Sequence, residues 1–472
     1  MGQASEPRGD APIRFGTSGW RGILGDDFTF PRLRVVLAAV GRWLAEAPGA
    51  AGEVIVAHDT RFLGERMARL AAEALCAQGQ RPLLAKGAVP TPVVARAIRR
   101  RRARAALVFT ASHNPPEYQG LKLLDASGGS LGLDETRRIE SLLGAPGEPA
   151  AAPSRRVRSL DLAAPYRRDL LAVVDRAPIA RARLQVVYDA MHGAGAPVLT
   201  SALAGLGARV RLLRGEPDPR FGGVSPDPIP ERLRDLSRVV RAARGRRLGL
   251  ATDGDADRFA AVDRDGRVLS ATQSAALLVD HLARSGRIRR GVALSIATGS
   301  LVEKVAQAHG LAVTRHPIGF RFLSRELVRG GADAAADESG GFALGSFSAD
   351  KDGILSGCLL AELMATLRDS LGERLAELER RHGRSDCGRS VHALRPRALA
   401  ALARLRGAPP ARVGEHRVRA ETGGDGLRLV FDDGFLFLRA SGTEPVLRIY
   451  AEARSPRALA RRLAAGARLL AT

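Results

Sequence analysis

Through about residue 370 this chain repeats one pattern, a short apolar run that breaks at a polar or glycine-bearing turn and gives way to an alanine-rich stretch with helical spacing. Strands separated by helices pair in parallel, so the repeat commits the chain to successive α/β units with mostly parallel sheets. Its 472 residues, 45 % of them hydrophobic, supply apolar material for several domain cores. The C-terminal stretch differs in kind. Leu427-Arg-Leu-Val-Phe431, Asp432-Asp-Gly434 and Phe435-Leu-Phe-Leu438 read as a hairpin. A strand over 446–452 and a helix over 456–470 complete an α+β unit. The proline-rich linker 145–154 and the breaks near Gly266 and Gly383 divide the chain into 1–154, 155–266, 267–383 and 384–472.

Open α/β sheets place their chemistry at strand ends, and four loops at such positions have unusual composition. The first, Thr110-Ala-Ser-His-Asn-Pro115, follows the apolar run Ala105-Ala-Leu-Val-Phe109 and sets the Ser112 hydroxyl beside the His113 imidazole. It suits a nucleophile; the alternative is a turn in which Ser112 bonds its own backbone. The second, Asp253-Gly-Asp-Ala-Asp-Arg258, spaces three carboxylates at alternate positions, an oxygen donor set for a hard divalent cation. A helix-loop-helix calcium loop is excluded, because its sixth and twelfth positions hold Arg258 and Arg264 instead of Gly and Glu. Magnesium, which binds through few carboxylates, is the expected ion. The third loop, Arg439-Ala-Ser-Gly-Thr-Glu-Pro445 with Arg448, can aim two guanidinium forks, hydroxyls and backbone N–H groups at one phosphate. The fourth is Asp337-Glu-Ser-Gly-Gly341 followed by Lys351-Asp-Gly353, in which Glu338 and Ser339 suit vicinal hydroxyls and Lys351 a phosphate.

Of 73 basic residues only Lys86, Lys122, Lys304 and Lys351 are lysine, and two of the four fall in or near these loops. A lysine pKa can be drawn down by burial or cationic neighbours, which an arginine resists, so Lys122 is expected to exchange protons near neutrality. The net charge of +23 is spread along the chain and accompanied by four tyrosines and two tryptophans. That distribution argues against a nucleic-acid partner and for attraction of anionic small molecules. No apolar stretch is long enough to span a membrane and no secretory leader is evident, while Cys76, Cys358 and Cys387 are too few for a disulfide framework. A cytoplasmic location is expected.

Together the four loops resemble those of the α-D-phosphohexomutase family, in the family's order and over nearly the whole chain. Phe15-Gly-Thr-Ser-Gly-Trp-Arg-Gly22 is similar to its N-terminal loop, Thr110–Pro115 to its phosphoserine loop and Asp253–Arg258 to its metal loop. Glu338-Ser-Gly340 is similar to its sugar loop and Arg439–Pro445 to its phosphate loop. Smaller matches are His58-Asp-Thr-Arg61, Val89-Pro-Thr-Pro92, Asp189-Ala-Met-His-Gly193 and Ile318-Gly-Phe320. The resemblance implies three similar α/β domains and a smaller fourth around a central cleft. It implies a mutase that interconverts hexose 1- and 6-phosphates, glucose first, through phosphorylated Ser112, with glucose 1,6-bisphosphate as activator and intermediate. Asp253, Asp255, Asp257 and a phosphoserine oxygen would hold Mg2+. Lys122, His113 and Arg21 would serve proton transfer and charge stabilisation. Arg258, Glu338, Ser339, Lys351, Arg439, Ser441, Gly442, Thr443 and Arg448 would bind substrate. A monomer or homodimer is expected.

The chain departs from the family pattern at three places. Gly341 stands where phosphomannomutase-type members carry His, as in glucose-preferring ones; Phe347 replaces a common His; Arg321 replaces a common Lys. Phosphomannomutase, dual and phosphoglucosamine mutase activities stay open, as does a silent sugar-phosphate binding protein.

Overall fold

The computed structural model describes residues 12–16, 19–46, 52–144, 157–423, 426–441 and 446–471. The expected linker 145–154 lies outside them. The first sheet has six strands in the order Trp20–Ile23, Tyr118–Asp125, Ala105–Phe109, Glu53–His58, Arg81–Ala85, Arg158–Leu160. The last four are mutually parallel and the first two antiparallel to their neighbours. Ala105–Phe109 is buried at every position, as a central parallel strand must be. Leu107, Val108 and Phe109 each contribute about 1.5–3 kcal/mol by leaving water. Strand Arg158–Leu160 lies past residue 154, so the expected boundary there separates the sheet from its own edge strand. That strand is three residues long, with Arg158 and Ser159 exposed, and carries no apolar signal in the sequence.

The second sheet runs Phe259–Val262, Arg247–Thr252, Gln185–Asp189, Arg209–Leu213, and the third Ala312–His316, Gly291–Ser295, Ala334–Ala336, Phe342–Leu344. Each has three parallel strands and one antiparallel edge. One device recurs in all three units. A parallel strand (Ala105–Phe109, Arg247–Thr252 or Ala334–Ala336) reaches its C-terminal end, makes one of the unusual loops, and returns antiparallel beside itself. The three loops are thereby held at both ends by adjacent ladder strands.

The C-terminal unit is an antiparallel sheet in the order Asp386–Ala393, Val446–Ala453, Gly434–Ala440, Gly426–Phe431, Arg419–Gly423, with helices Pro396–Gly407 and Pro456–Ala471. The expected hairpin is present: Phe431 faces Gly434, leaving Asp432-Asp433 as the turn. Gly434 is required there, since its φ is +146° and a Cβ would come within 2.2 Å of the Glu452 carbonyl oxygen. The observed architecture, three mixed α/β units and a smaller α+β one, is the expected fold class.

One continuous apolar core links the first three units, from Val93 and Ile98 through Leu199 and Leu250 to Leu277, Val302 and Leu359. Helix Gly353–Thr366 binds the second and third together. It is buried on all sides from Gly353 to Ala365, and although it follows the third sheet it packs on helices Arg176–Ala182 and Ala196–Gly205 of the second unit. Asp352 starts it by accepting from the Leu355 N–H at 2.8 Å. The C-terminal unit has a separate core built on Leu427, Leu436, Leu447 and Ile449. A small cluster of Ala297, Phe435, Phe437 and Tyr450 joins it to the third unit. At that seam Glu452 accepts from the Ser300 N–H at 2.9 Å and the Ser300 hydroxyl at 2.7 Å. No helix among the described residues is long and apolar enough to cross a membrane.

Candidate active site

The serine loop and the aspartate loop meet directly. Ser112, buried and held at φ +52°, donates from Oγ to Asp253 Oδ2 at 2.6 Å. A left-handed φ in a non-glycine residue is strained and must be held by its surroundings. His113 Nδ1 lies 3.4 Å from Ser112 Oγ. Burial, then the cations Arg258 and Arg21, hold the His113 imidazole well below its ordinary pKa, so it is neutral at pH 7. The His113 carbonyl accepts from Ser225 Oγ of the second unit at 2.5 Å.

Asp253, Asp255 and Asp257 converge with carboxylate oxygens within 4.8 Å of one another, all buried. Lys122, from the antiparallel strand that follows the serine loop, donates to Asp255 Oδ2 and Asp257 Oδ2 at 2.5 Å each. Thr91 Oγ1 donates to Asp255 Oδ2 at 2.5 Å, and Lys351 Nζ stands 3.4 Å from Asp257 Oδ2. Asp255 Oδ1 and Asp257 Oδ1 are buried with no hydrogen-bond partner among the described residues. Oxygens so placed are costly to leave unpaired, and they fit a hard divalent cation. Burial, then its two carboxylate neighbours, push Asp253 well above the usual carboxylate range. Burial acts on Asp257 in the same sense, but Lys122, Lys351 and Arg258 overcome it and hold that carboxylate down.

Lys122 corrects the sequence reading. Burial does pull its pKa down, yet Asp255 and Asp257 outweigh it and hold the ammonium above its ordinary value. Proximity to the metal loop, invisible in composition, turns the expected tuning around. Arg21 donates from Nη1 to Asn114 Oδ1 at 2.5 Å, and burial lowers its pKa despite Asp255. Arg258 is half-buried, and Asp253, Asp227 and Asp257 offset its desolvation and keep it firmly charged.

The sugar-type loop closes on Asp337, whose Oδ1 accepts from Ser339 N–H and Oγ and from Gly341 N–H at 2.8–2.9 Å. Glu338 accepts from Ser295 Oγ at 2.6 Å, and burial, then Asp337, raises its pKa. Lys351, expected at a phosphate, instead faces Asp257 and the Phe320 ring, 5.9 Å from its centroid. On the C-terminal unit Arg439 and Arg448 are directly opposed on adjacent strands, which places both on one face of the sheet. Ser441 N–H donates to the Val446 carbonyl at 2.8 Å. Gly442 and Thr443 lie outside the described residues, as do Thr17 and Ser18 of the N-terminal loop.

Of the three departures, Gly341 sits close against neighbouring side chains, and a Cβ there would meet Lys351 Cδ at 2.7 Å and Asp337 Oδ2 at 3.0 Å, so both would have to shift to admit one. Phe347 is fully buried edge-on to Tyr166 and under the Arg96 guanidinium, in the core. Arg321 donates to the Gly16 carbonyl of the N-terminal loop. Residues given no role from sequence also enter the site: Asp59 and Arg61 behind the serine loop, Thr91 on Asp255, Ser295 on Glu338, and Asp227, 3.8 Å from Arg389 of the C-terminal unit. His58-Asp-Thr-Arg61 ends a buried strand and Thr91 is the lone polar side chain between prolines, the only signals that could have marked them.

Four family models match in order: phosphoglucomutase/phosphomannomutase α/β/α domain I over 12–148, domain II over 164–266, domain III over 270–382 and the C-terminal domain over 391–469. A phosphoglucomutase/phosphomannomutase of Thermococcus kodakarensis is 31 % identical, covering 97 % of this chain and 98 % of its own. A phosphoglucosamine mutase of Synechococcus is also 31 % identical, covering 95 % and 93 %. A crystal structure from Thermus thermophilus, provisionally named a phosphomannomutase, superposes with a TM-score of 0.86 at 34 % identity over 98 % of this chain and 99 % of that one.

Proposed function

Since the chain belongs to the phosphoglucomutase/phosphomannomutase family of mutase enzymes, we propose that it interconverts glucose 1-phosphate and glucose 6-phosphate through a phosphorylated Ser112. The observation that carries this reading is the 2.6 Å contact of Ser112 Oγ with Asp253, inside a buried cluster of three carboxylates. In this scheme the Oγ–P bond of phosphoserine breaks as the free sugar hydroxyl forms a new O–P bond, giving glucose 1,6-bisphosphate. The hydroxyl proton leaves to a base, and the reverse step returns the other phosphate to Ser112 with a proton delivered to the departing sugar oxygen.

Asp253, Asp255 and Asp257, with a phosphoserine oxygen, would hold Mg2+, which supplies charge neutralisation at the transferring phosphoryl group. The remaining roles fall to this chain's own groups. Neutral His113 beside Oγ suits proton acceptance. It would return that proton to the departing oxygen in the reverse step, while Lys122, held protonated by Asp255 and Asp257, would with Arg21 and Arg258 face the charge that develops. Glu338 and Ser339 would hold sugar hydroxyls. Arg439, Ser441, Gly442, Thr443 and Arg448 would bind the phosphate that is not reacting, while Lys351, beside Asp257, would face the phosphoryl group in transfer.

Glucose is preferred on Gly341, which leaves no imidazole where mannose-type members place one. The similarity to phosphoglucosamine mutases supports a second reading, glucosamine phosphate as substrate. A coupled assay with magnesium and a trace of glucose 1,6-bisphosphate compares glucose, mannose and glucosamine 1-phosphates. Turnover well above the others on glucose 1-phosphate is the expected result, and a dominant glucosamine rate replaces it with the second reading. Ser112→Ala abolishes turnover while sugar-phosphate binding survives; retained turnover refutes the phosphoserine scheme.

A further inference from the structure

We infer that Arg61, clamped by Asp59, is a positioning residue that sets the serine loop in its strained, transfer-ready form; this rests on the phosphoserine reading above. Arg61 is 3 % exposed, and all four of its terminal N–H groups are spent on that one loop. Nη2 donates to the carbonyls of Ser112 at 2.7 Å and Asn114 at 2.6 Å, and Nη1 to those of Pro115 at 2.8 Å and Tyr118 at 2.9 Å. A Phe221 ring from the second unit covers the guanidinium, 4.9 Å from its centroid.

Asp59 completes the clamp. Its carboxylate lies 3.5 Å from Arg61 Nε, and Oδ1 accepts from the Arg61 backbone N–H at 2.9 Å. Oδ2 accepts from Thr110 Oγ1 at 2.6 Å, and that hydroxyl in turn accepts from the Ser112 N–H at 2.8 Å. Ser112 is thus gripped on both sides of its Cα. Its N–H is tied to Asp59 through Thr110 and its carbonyl is tied to Arg61. These two ties hold the Ser112 backbone at its left-handed φ, from which Oγ reaches Asp253. Because carbonyl and N–H point oppositely across a trans peptide, drawing the Ser112 carbonyl to Arg61 also turns the His113 N–H away from Arg61.

Only arginine can make this clamp. Its planar fork offers five donors at fixed angles, whereas lysine offers three from one atom and leaves buried carbonyls unpaired. With the clamp loosened, the loop relaxes toward an unstrained φ and Oγ leaves its line to Asp253. A displacement of about 1 Å at a reacting atom can cost a hundredfold in rate, while the sugar and phosphate contacts, on other loops, are untouched. The signature is therefore a fall in kcat with KM unchanged.

The test compares wild type, Arg61→Lys and Thr110→Val, which removes the hydroxyl link with little change in shape. Each is mixed with glucose 1,6-bisphosphate and magnesium, Ser112 phosphate is followed by intact-mass spectrometry, and kcat and KM are measured on glucose 1-phosphate. Near-ultraviolet circular dichroism confirms the fold. The inference expects Ser112 phosphorylation and kcat to fall about a hundredfold in Arg61→Lys and by a smaller factor in Thr110→Val, with KM within about twofold. Wild-type kcat in both variants overturns it. So does a loss in which KM rises or the folded fraction falls in step with rate, which marks a merely structural role. Wild-type protein that takes no phosphate on Ser112 overturns this inference together with the reading beneath it, whereas normal wild-type phosphorylation with unaffected variants sinks the inference alone.

Discussion

Replacing Lys122 with Met tests the electrostatics of the site more sharply than any other single change. The ammonium is 5 % exposed and reaches Asp255 and Asp257 at 2.5 Å. Removing it strands two buried carboxylates, leaving among the described residues Thr91 bonded to the one and Lys351 at 3.4 Å, with the more distant Arg258, to offset the other. Breaking a buried ion pair from one side costs about 3–5 kcal/mol. For a cooperative unit of about 370 residues, with about 2.1 cal/mol/K of unfolding entropy per residue, that lowers Tm by roughly 4–6 °C. Magnesium should narrow the gap. Without the ammonium on their oxygens the carboxylates bind a cation more tightly, and each tenfold gain in affinity returns about 1.4 kcal/mol at saturation. The assay is thermal unfolding of wild type and Lys122→Met in EDTA and in millimolar magnesium, beside mutase activity, which the substitution should abolish. Equal melting temperatures in EDTA, or a gap that magnesium leaves untouched, would refute the account of Lys122 as a stand-in counter-ion for the metal.

Other expectations follow from buried groups outside the cleft. Phe347→His places a polar ring where Phe347 packs on Tyr166 and Arg96. Stability should fall by about 2–4 kcal/mol while the ratio of glucose to mannose activity stays put; a changed ratio would show that position 347 reaches the substrate. Asp352, fully buried, is raised by burial to about 6 from an ordinary 3.8. A raised carboxylate contributes stability below its unfolded pKa and loses it as pH climbs through the folded one. Asp352→Asn should therefore gain on wild type between about pH 4 and pH 7, approaching 3 kcal/mol, and parallel pH–Tm curves for the two proteins would contradict the shift.

The residues most readable from sequence were those whose signal is local. Phe431 to Phe435 announced a hairpin because the apolar alternation and Asp-Asp-Gly turn are contiguous, and the register bears this out. Asp253, Asp255 and Asp257 announced a cation site because close carboxylates repel without one, and they do converge. What could not be read depends on contacts far apart in the chain. Lys122 was expected to be tuned down because Asp255, 133 residues away, gives no sign of its proximity. Strand Asp386–Ala393 is an edge strand with mostly half-buried or exposed residues, so it lacks the apolar alternation that marks one. Arg61 stands in the matched segment His58-Asp-Thr-Arg61, but nothing in that segment tells what it does until its four carbonyl acceptors are seen.

The contrast between the core shared by the first three units and the C-terminal unit's own core makes the site mechanically unequal. Three of its loops stand on a single body, tied by helix Gly353–Thr366, so they cannot part without tearing apolar packing. The C-terminal sheet is fastened at the cluster of Ala297, Phe435, Phe437 and Tyr450 and the Glu452 contacts with Ser300. Strand Val446–Ala453 carries both that fastening and Arg448. The two residues are four apart on the same face, about 13 Å along the strand, so the strand works as a lever with its pivot at Glu452. A small rotation about that pivot would swing the arginine end, resisted by this patch and by the Asp227–Arg389 and Thr272–Cys387 contacts instead of by the stability of the whole protein.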